Sequence, residues 1–139
     1  MTRISSKVKP IELCDKMLIA EHREIKRIPN AIKNGKAVIK NIPDQFTLGT
    51  GHVKFFYNKL AYLHQRYKAL RAECLERGFN ISDYNECFEG LPVELYQDWT
   101  PDERVRGIVV DRINDRLQTM KAIKYYSEDI NLEYITLSK

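Results

Sequence analysis

The chain has 139 residues, 43% apolar and 30% charged, which fits one globular domain and excludes a disordered or fibrous chain. No apolar run approaches the ~20 residues of a membrane-spanning helix, and the opening MTRISSKVKP lacks the apolar stretch of a secretory signal. The net charge of +4 is polarised: residues 1–40 carry ten Lys/Arg against four Asp/Glu, whereas residues 83–103 hold seven acids and no Lys or Arg. The expectation is a single cytoplasmic domain over residues 1–139, monomeric, whose basic side meets a polyanion such as nucleic acid.

In chain order, a first helix is expected to start at Pro10, a favoured first-turn residue. Ile11, Cys14, Leu18 and Ile25 fall within about 60° of arc. Glu12 and Asp15 near its start, and Lys26 and Arg27 near its end, complement the helix dipole. Pro29 should kink or end it near Arg27 or Ile28, with a short further turn to Asn34 before KNGK. A second helix is marked by Val53, Phe56, Leu60, Leu63, Tyr67, Leu70 and Cys74, a seam of alternating three- and four-residue steps stopped by Gly78. A third begins at TPDE, with Thr100 as N-cap, Pro101 at the first helical position and Glu103 completing a capping box. Its buried stripe is Val109, Ile113, Leu117 and Met120. Residues 40–50 and 79–99 read as ordered loop and strand signals are weak throughout. The fold class is therefore all-α, a compact domain of three main helices.

Cys14, Cys74 and Cys87 have no CxxC spacing and read as reduced core thiols. His22, His52 and His64 fall at no metal-ligand spacing, so no metal and no cofactor are expected. Arg112 and Arg116 sit four residues apart on the third helix, where like charges repel. They either pair with Asp111 or Asp115 or await an anion.

The stretch AEHREIKR, residues 20–27, concentrates the remaining chemistry. Lys16, Arg23 and Arg27 lie within about 40° of one another opposite the apolar arc, with Glu24 beside them. Glu21 points toward the apolar arc, as a partly buried, paired carboxylate would. One reading is a salt-bridged surface helix, Glu24 with Arg27 and Arg23 with Glu12 or its neighbours. The other is a ridge that neutralises phosphates while holding an acid near a bound sugar. Thr2 follows the initiator Met, whose removal before a small residue leaves a free α-amine of pKa near ~7.7–8.0. Arg3, Arg23 and Arg27 would lower that value further and favour the nucleophilic form. An ordinary frayed terminus is the competing reading.

Taken together, MTRI, AEHREIKR, NGK, LGTGHVKFFYNKL, AECLERGFNI and KYY resemble, in order and over nearly the whole chain, the phage pyrimidine-dimer DNA glycosylase family of the endonuclease V type. The resemblance implies a compact all-α enzyme that binds ultraviolet-damaged double-stranded DNA and kinks it. The amine of the mature first residue, here Thr2, would attack the sugar C1′, release the base and nick the strand by β-elimination through a Schiff base. The family pattern Arg-Glu-x-x-Arg falls on Arg23-Glu24-Ile25-Lys26-Arg27, so Glu24 is implied as the catalytic carboxylate. Arg3, Arg23 and Arg27 match phosphate-binding arginines, and Arg112 and Arg116 match two further DNA-contacting positions. Lys124, Tyr125 and Tyr126 match the aromatic tail motif associated with dimer recognition.

The sequence departs from the family in several places. Ala122 and Ile123 stand where two aromatics precede Lys-Tyr-Tyr, Lys16 replaces a Gln, and the segment between Arg27 and NGK is shorter. The tail beyond Tyr126 is longer. These changes bear on substrate more than on chemistry. Cyclobutane pyrimidine dimers are the expected substrate, with another damaged or modified base as the alternative. A catalytically silent DNA-binding module and a helical interaction protein are two further readings, and the joint presence of Thr2 and Glu24 argues against both.

Overall fold

Leu60, Leu63, Tyr67, Leu70 and Cys74 form the buried seam of helix α4 (Leu60–Glu76), around which the other elements assemble in the computed structural model. The structure describes residues 2–139. In chain order, a 3-10 turn at Pro10–Glu12 is followed by α1 (Asp15–Glu24), α2 (Arg27–Lys33), α3 (His52–Phe55), α4, α5 (Glu103–Thr119) and α6 (Leu132–Ile135). A two-residue antiparallel ladder, β1 (Lys124–Tyr125) with β2 (Glu128–Asp129), lies between α5 and α6. The all-α expectation holds, but among the described residues six helices replace three, because the first two expected helices are each broken into two α-helices and the tail adds α6.

The first expected helix is three pieces. Leu13 and Cys14 are extended, which turns Leu13 into the core and leaves Ile11 50% exposed, off the buried arc it was expected to share. The break suits Glu12, whose carboxylate accepts the Lys9 amide at 2.8 Å and pairs with Arg106 at 2.9 Å. α1 then ends at Glu24, and Pro29 falls in the first turn of α2, where a missing N–H removes no helical bond. The chain therefore breaks just before the expected point, and α2 continues to its C-cap at Asn34 as expected.

The second expected helix is interrupted at Lys59 (φ −127°, ψ 43°), after a 3-10 turn at Phe56–Asn58. The Lys59 ammonium donates to Phe55 O at 3.0 Å and Asn58 Oδ1 at 2.9 Å and lies 3.8 Å from the Phe55 ring centroid. The carbonyl of Gln97 then receives the Ala61 amide at 3.1 Å, satisfying a donor that the interrupted helix leaves unpaired. At its other end α4 stops at Gly78 as the sequence indicates. Gly78 has φ +81°, and the Phe79 and Gly78 amides return to Cys74 O and Leu75 O, both at 3.0 Å, a Schellman closure.

α5 starts later than expected. Its N-cap is Asp102, whose Oδ1 accepts the Val105 amide at 3.0 Å, so Thr100 and Pro101 lie outside the helix. Val105, Val109, Val110, Ile113 and Leu117 bury the stripe, with Met120 at its half-buried end. The tail beyond β2 returns to α5. Asn114 donates to Leu137 O at 3.0 Å and accepts the Leu137 amide at 2.9 Å, and Lys139 pairs with Asp111 at 2.9 Å. Among the described residues no helix is long and apolar enough to cross a membrane. The three cysteines are free and buried, and burial raises each thiol, Cys74 and Cys87 to about 11.

Candidate active site

Three chain segments wall a cavity of about 710 Å³. α1 contributes Lys16, Met17, Ala20, Glu21 and Glu24, a face built by three- and four-residue steps. α5 and its exit contribute Arg112, Arg116, Thr119, Met120, Lys121 and Ala122, and the arm before α1 contributes Arg3 and Ser5. The wall thus carries five cationic side chains and two carboxylates over an apolar patch of Met17, Ala20, Met120 and Ala122.

The two carboxylates differ. Glu21 is buried: Arg66 grips it with two bonds, Nε to Oε2 at 2.7 Å and Nη2 to Oε1 at 3.1 Å, and the Ser5 amide donates to Oε1 at 3.2 Å. This is the paired, core-leaning carboxylate that the helical angle indicates. The side chain of Glu24 is 14% exposed, with Arg27 at 3.3 Å and Arg23 at 3.7 Å. The pairing of Glu24 with Arg27 was expected; that of Arg23 with Glu12 does not form, since Glu12 is taken by Arg106.

Arg112 and Arg116 have no ion-pair partner within 4 Å among the described residues, so neither Asp111 nor Asp115 neutralises them. Burial first, then the Arg116 and Arg3 guanidinium groups, draw Arg112 below the ordinary arginine value. An arginine stays protonated at neutral pH regardless. A wall of like charges facing a cavity is poised for a polyanion, and guanidinium geometry suits phosphate oxygens.

Of the residues singled out from the sequence, Arg3, Lys16, Glu24, Arg112 and Arg116 meet at this cavity. Thr2 is buried and immediately precedes Arg3, while the expected loss of Met1 concerns a residue outside the described ones. Arg23 and Arg27 lie outside the wall and reach it through Glu24. Lys124, Tyr125 and Tyr126 do not line the cavity. They form a hairpin whose turn residues, Tyr126 and Ser127, both have positive φ (52° and 68°).

Asp15 holds that turn. Its Oδ1 accepts the Tyr126 amide at 3.0 Å, its Oδ2 accepts the Ser127 amide at 2.8 Å, and Arg77 pairs with it at 2.9 Å. The Arg77 guanidinium lies 4.5 Å from the Tyr125 ring centroid and 4.8 Å from that of Tyr126. The tyrosine hydroxyls donate to Ile11 O and Glu73 Oε2, both at 2.7 Å. Lys124 pairs with Asp129 across the ladder at 3.1 Å.

Sequence reasoning missed His52, Arg66 and Arg77. Arg66 had a signal, a charge set between Leu63 and Leu70 on an otherwise apolar seam. His52 is buried and donates from Nδ1 to Thr47 O at 2.7 Å, which leaves Nε2 to accept the Ile4 amide at 2.9 Å. Burial pushes its pKa down to about 4. His22 lies between the rings of Tyr67 and Tyr84 and is likewise held down by burial.

A cation-lined cavity in a small helical domain, with carboxylates set among the cations, suits a polyanionic ligand, and the class of protein is a DNA repair glycosylase, whose substrate is DNA. The family model for pyrimidine dimer DNA glycosylase matches residues 1–85, and the chain belongs to that family. The match takes in the arm and α1–α4, with Arg3, Glu21, Glu24, His52 and Arg66; the arginines of α5 and the hairpin lie beyond it.

Proposed function

We propose that this glycosylase excises ultraviolet-induced cyclobutane pyrimidine dimers from duplex DNA and then nicks the strand, with the Thr2 α-amine as nucleophile and Glu24 as its carboxylate partner. The observation that carries the reading is that buried Thr2 leads directly into Arg3, which shares one cavity with Glu24. Removal of Met1 frees the amine. Its lone pair attacks C1′ while the C1′–N bond breaks and the base leaves with that electron pair. Loss of one amine proton and breaking of the C1′–O4′ bond, with O4′ taking a proton, open the sugar ring and give a protonated Schiff base. Glu24 stabilises the positive charge that develops at C1′, then takes a C2′ proton as the C3′–O bond breaks and the phosphate departs. Water hydrolyses the imine and restores the amine. Arg3, Lys16, Arg112 and Arg116, with Arg23 and Arg27 at the edge, bind phosphates along the bent duplex. Lys124, Tyr125 and Tyr126 complete the DNA-binding set.

Sodium borohydride reduces a Schiff base irreversibly, so irradiated duplex DNA and borohydride should yield a covalent adduct on Thr2. Trapping on abasic DNA without trapping on irradiated DNA would keep the lyase chemistry and remove the dimer assignment. A Glu24→Gln variant should bind damaged DNA yet release base about 10²–10⁴-fold more slowly; unchanged turnover would take Glu24 out of the mechanism. Intact mass should show the loss of Met1. A second reading, the same chemistry on another damaged base, is favoured by Ala122 on the cavity wall and by Ile123, which is buried in the core. These two positions stand where the resemblance leads one to expect aromatics. Parallel trapping on duplexes carrying single defined lesions separates the two readings.

A further inference from the structure

The geometry points to His52, acting with the Glu21–Arg66 pair, as a positioning device for the arm that carries the amine; the inference rests on the Thr2 reading above. Residues 2–8 form no helix or strand, and a segment of this kind ordinarily frays. Here three buried polar side chains, from α3, α1 and α4, each take a backbone group of the arm. His52 Nε2 accepts the Ile4 amide at 2.9 Å, Glu21 Oε1 accepts the Ser5 amide at 3.2 Å, and Arg66 Nη1 donates to Val8 O at 2.5 Å.

The clamp is internally determined. The bond from His52 Nδ1 to Thr47 O, at 2.7 Å, fixes the tautomer that leaves Nε2 as an acceptor. Arg66 holds both Glu21 oxygens, so Glu21 cannot swing away from Ser5. Consecutive amides at residues 4 and 5 are therefore held by acceptors from two different helices, which fixes the arm's direction as well as its depth. Residue 2 lies two peptide units from the first anchor, a reach of about 7 Å. That places the amine under the control of His52, although His52 itself need touch no substrate.

Catalysis is far more sensitive to such placement than binding is. A displacement of ~1 Å at a nucleophile costs on the order of 10²-fold in rate, while of the cavity wall's cations only Arg3 rides on the arm, and Lys16, Arg112, Arg116 and Lys121 keep their places whatever its exact seat. The structural role of the clamp and its catalytic role therefore make different forecasts for a folded variant.

The test compares wild type, His52→Leu and His52→Gln on a preformed abasic-site duplex. His52 carries the test because a variant at Glu21 strands Arg66 in the core and puts the fold itself at risk. Each protein is checked for helical content, for affinity to the duplex, for the single-turnover rate of borohydride trapping at saturating enzyme, and for hydrogen exchange at the Ile4 and Ser5 amides. His52→Leu should bind within about threefold of wild type, lose roughly 10²-fold in trapping rate and lose protection at Ile4. His52→Gln, which restores an acceptor, should recover much of both. Wild-type trapping in folded His52→Leu overturns the inference, and so does a fall in trapping matched by an equal fall in affinity. Failure of wild type to trap, with Ile4 still protected, sinks the amine reading and reduces the clamp to a mere anchor.

Discussion

Two pairs of arginines in this molecule have opposite surroundings. On α4 and at its C-cap, Arg66 and Arg77 are buried and matched, the first by Glu21 and the second by Asp15 and Glu73. On α5, Arg112 and Arg116 face the cavity with no carboxylate within 4 Å among the described residues. The same side chain serves as internal structure in one place and as waiting charge in the other. The difference lies in whether folding itself supplies the anion. Where it does, removing the arginine strands a buried carboxylate; where it does not, the function proposed above leaves a DNA phosphate to complete the pair.

The comparison can be broken at either end. Arg66→Met should destabilise the fold by roughly 3–5 kcal/mol, because Glu21 and Val8 O lose their partner inside the core; urea unfolding measures it. Acid should act next in size. His52 has a folded pKa near 4, depressed from its ordinary 6.5 by burial. Above pH 6.5 neither the folded nor the unfolded state holds the extra proton, so this contribution is fully present. As pH falls from 6.5 toward 4 the unfolded chain takes a proton that the folded chain refuses, and roughly 3 kcal/mol of stability drains away. Thermal unfolding of wild type and His52→Gln over that range should converge as pH falls.

Effects on α5 are smaller and of another kind. Arg112→Gln and Arg116→Gln should leave the unfolding midpoint unchanged or slightly raised, since an i,i+4 repulsion is relieved. Each should weaken DNA binding and lower the salt slope of log K by about 1. An Arg112 variant that unfolded as easily as Arg66→Met would erase the distinction between the two regions. Smallest of all, Lys124→Ala should cost less than ~1 kcal/mol, because its partner Asp129 is exposed.

Much of this was legible in the sequence. The α4 seam from Leu60 to Cys74, its stop at Gly78, the α5 stripe and the core-leaning Glu21 all follow from local periodicity. The break ahead of Pro29 was legible as well, but those at Leu13–Cys14 and at Lys59 were not, because distant groups set them. Leu13 and Cys14 leave the helix where Asp15 is claimed by Arg77, 62 residues away, and by the amides of residues 126 and 127. The hairpin gave no signal either. Tyr126-Ser127 lacks the Asn-Gly or Asp-Gly pair that announces such a turn, and its two positive φ angles are held by a carboxylate more than a hundred residues upstream. For the site, Arg3, Lys16 and Glu24 were found by charge and by likeness. His52 was not, since a single histidine beside an apolar run carries no mark of its partner.

That remote aspartate also imposes an order of assembly. Asp15 and the carbonyl of Ile11 close contacts spanning 111 to 114 residues, among the longest loops this chain can make. Loops of that length are slow to close, and these cannot close until synthesis has passed Ser127. A nascent chain therefore holds its arm, Glu24 and the α4 seam while the segment leading out of α5 is still untethered. The cavity wall is thus closed late, ahead only of the tail's own return to α5.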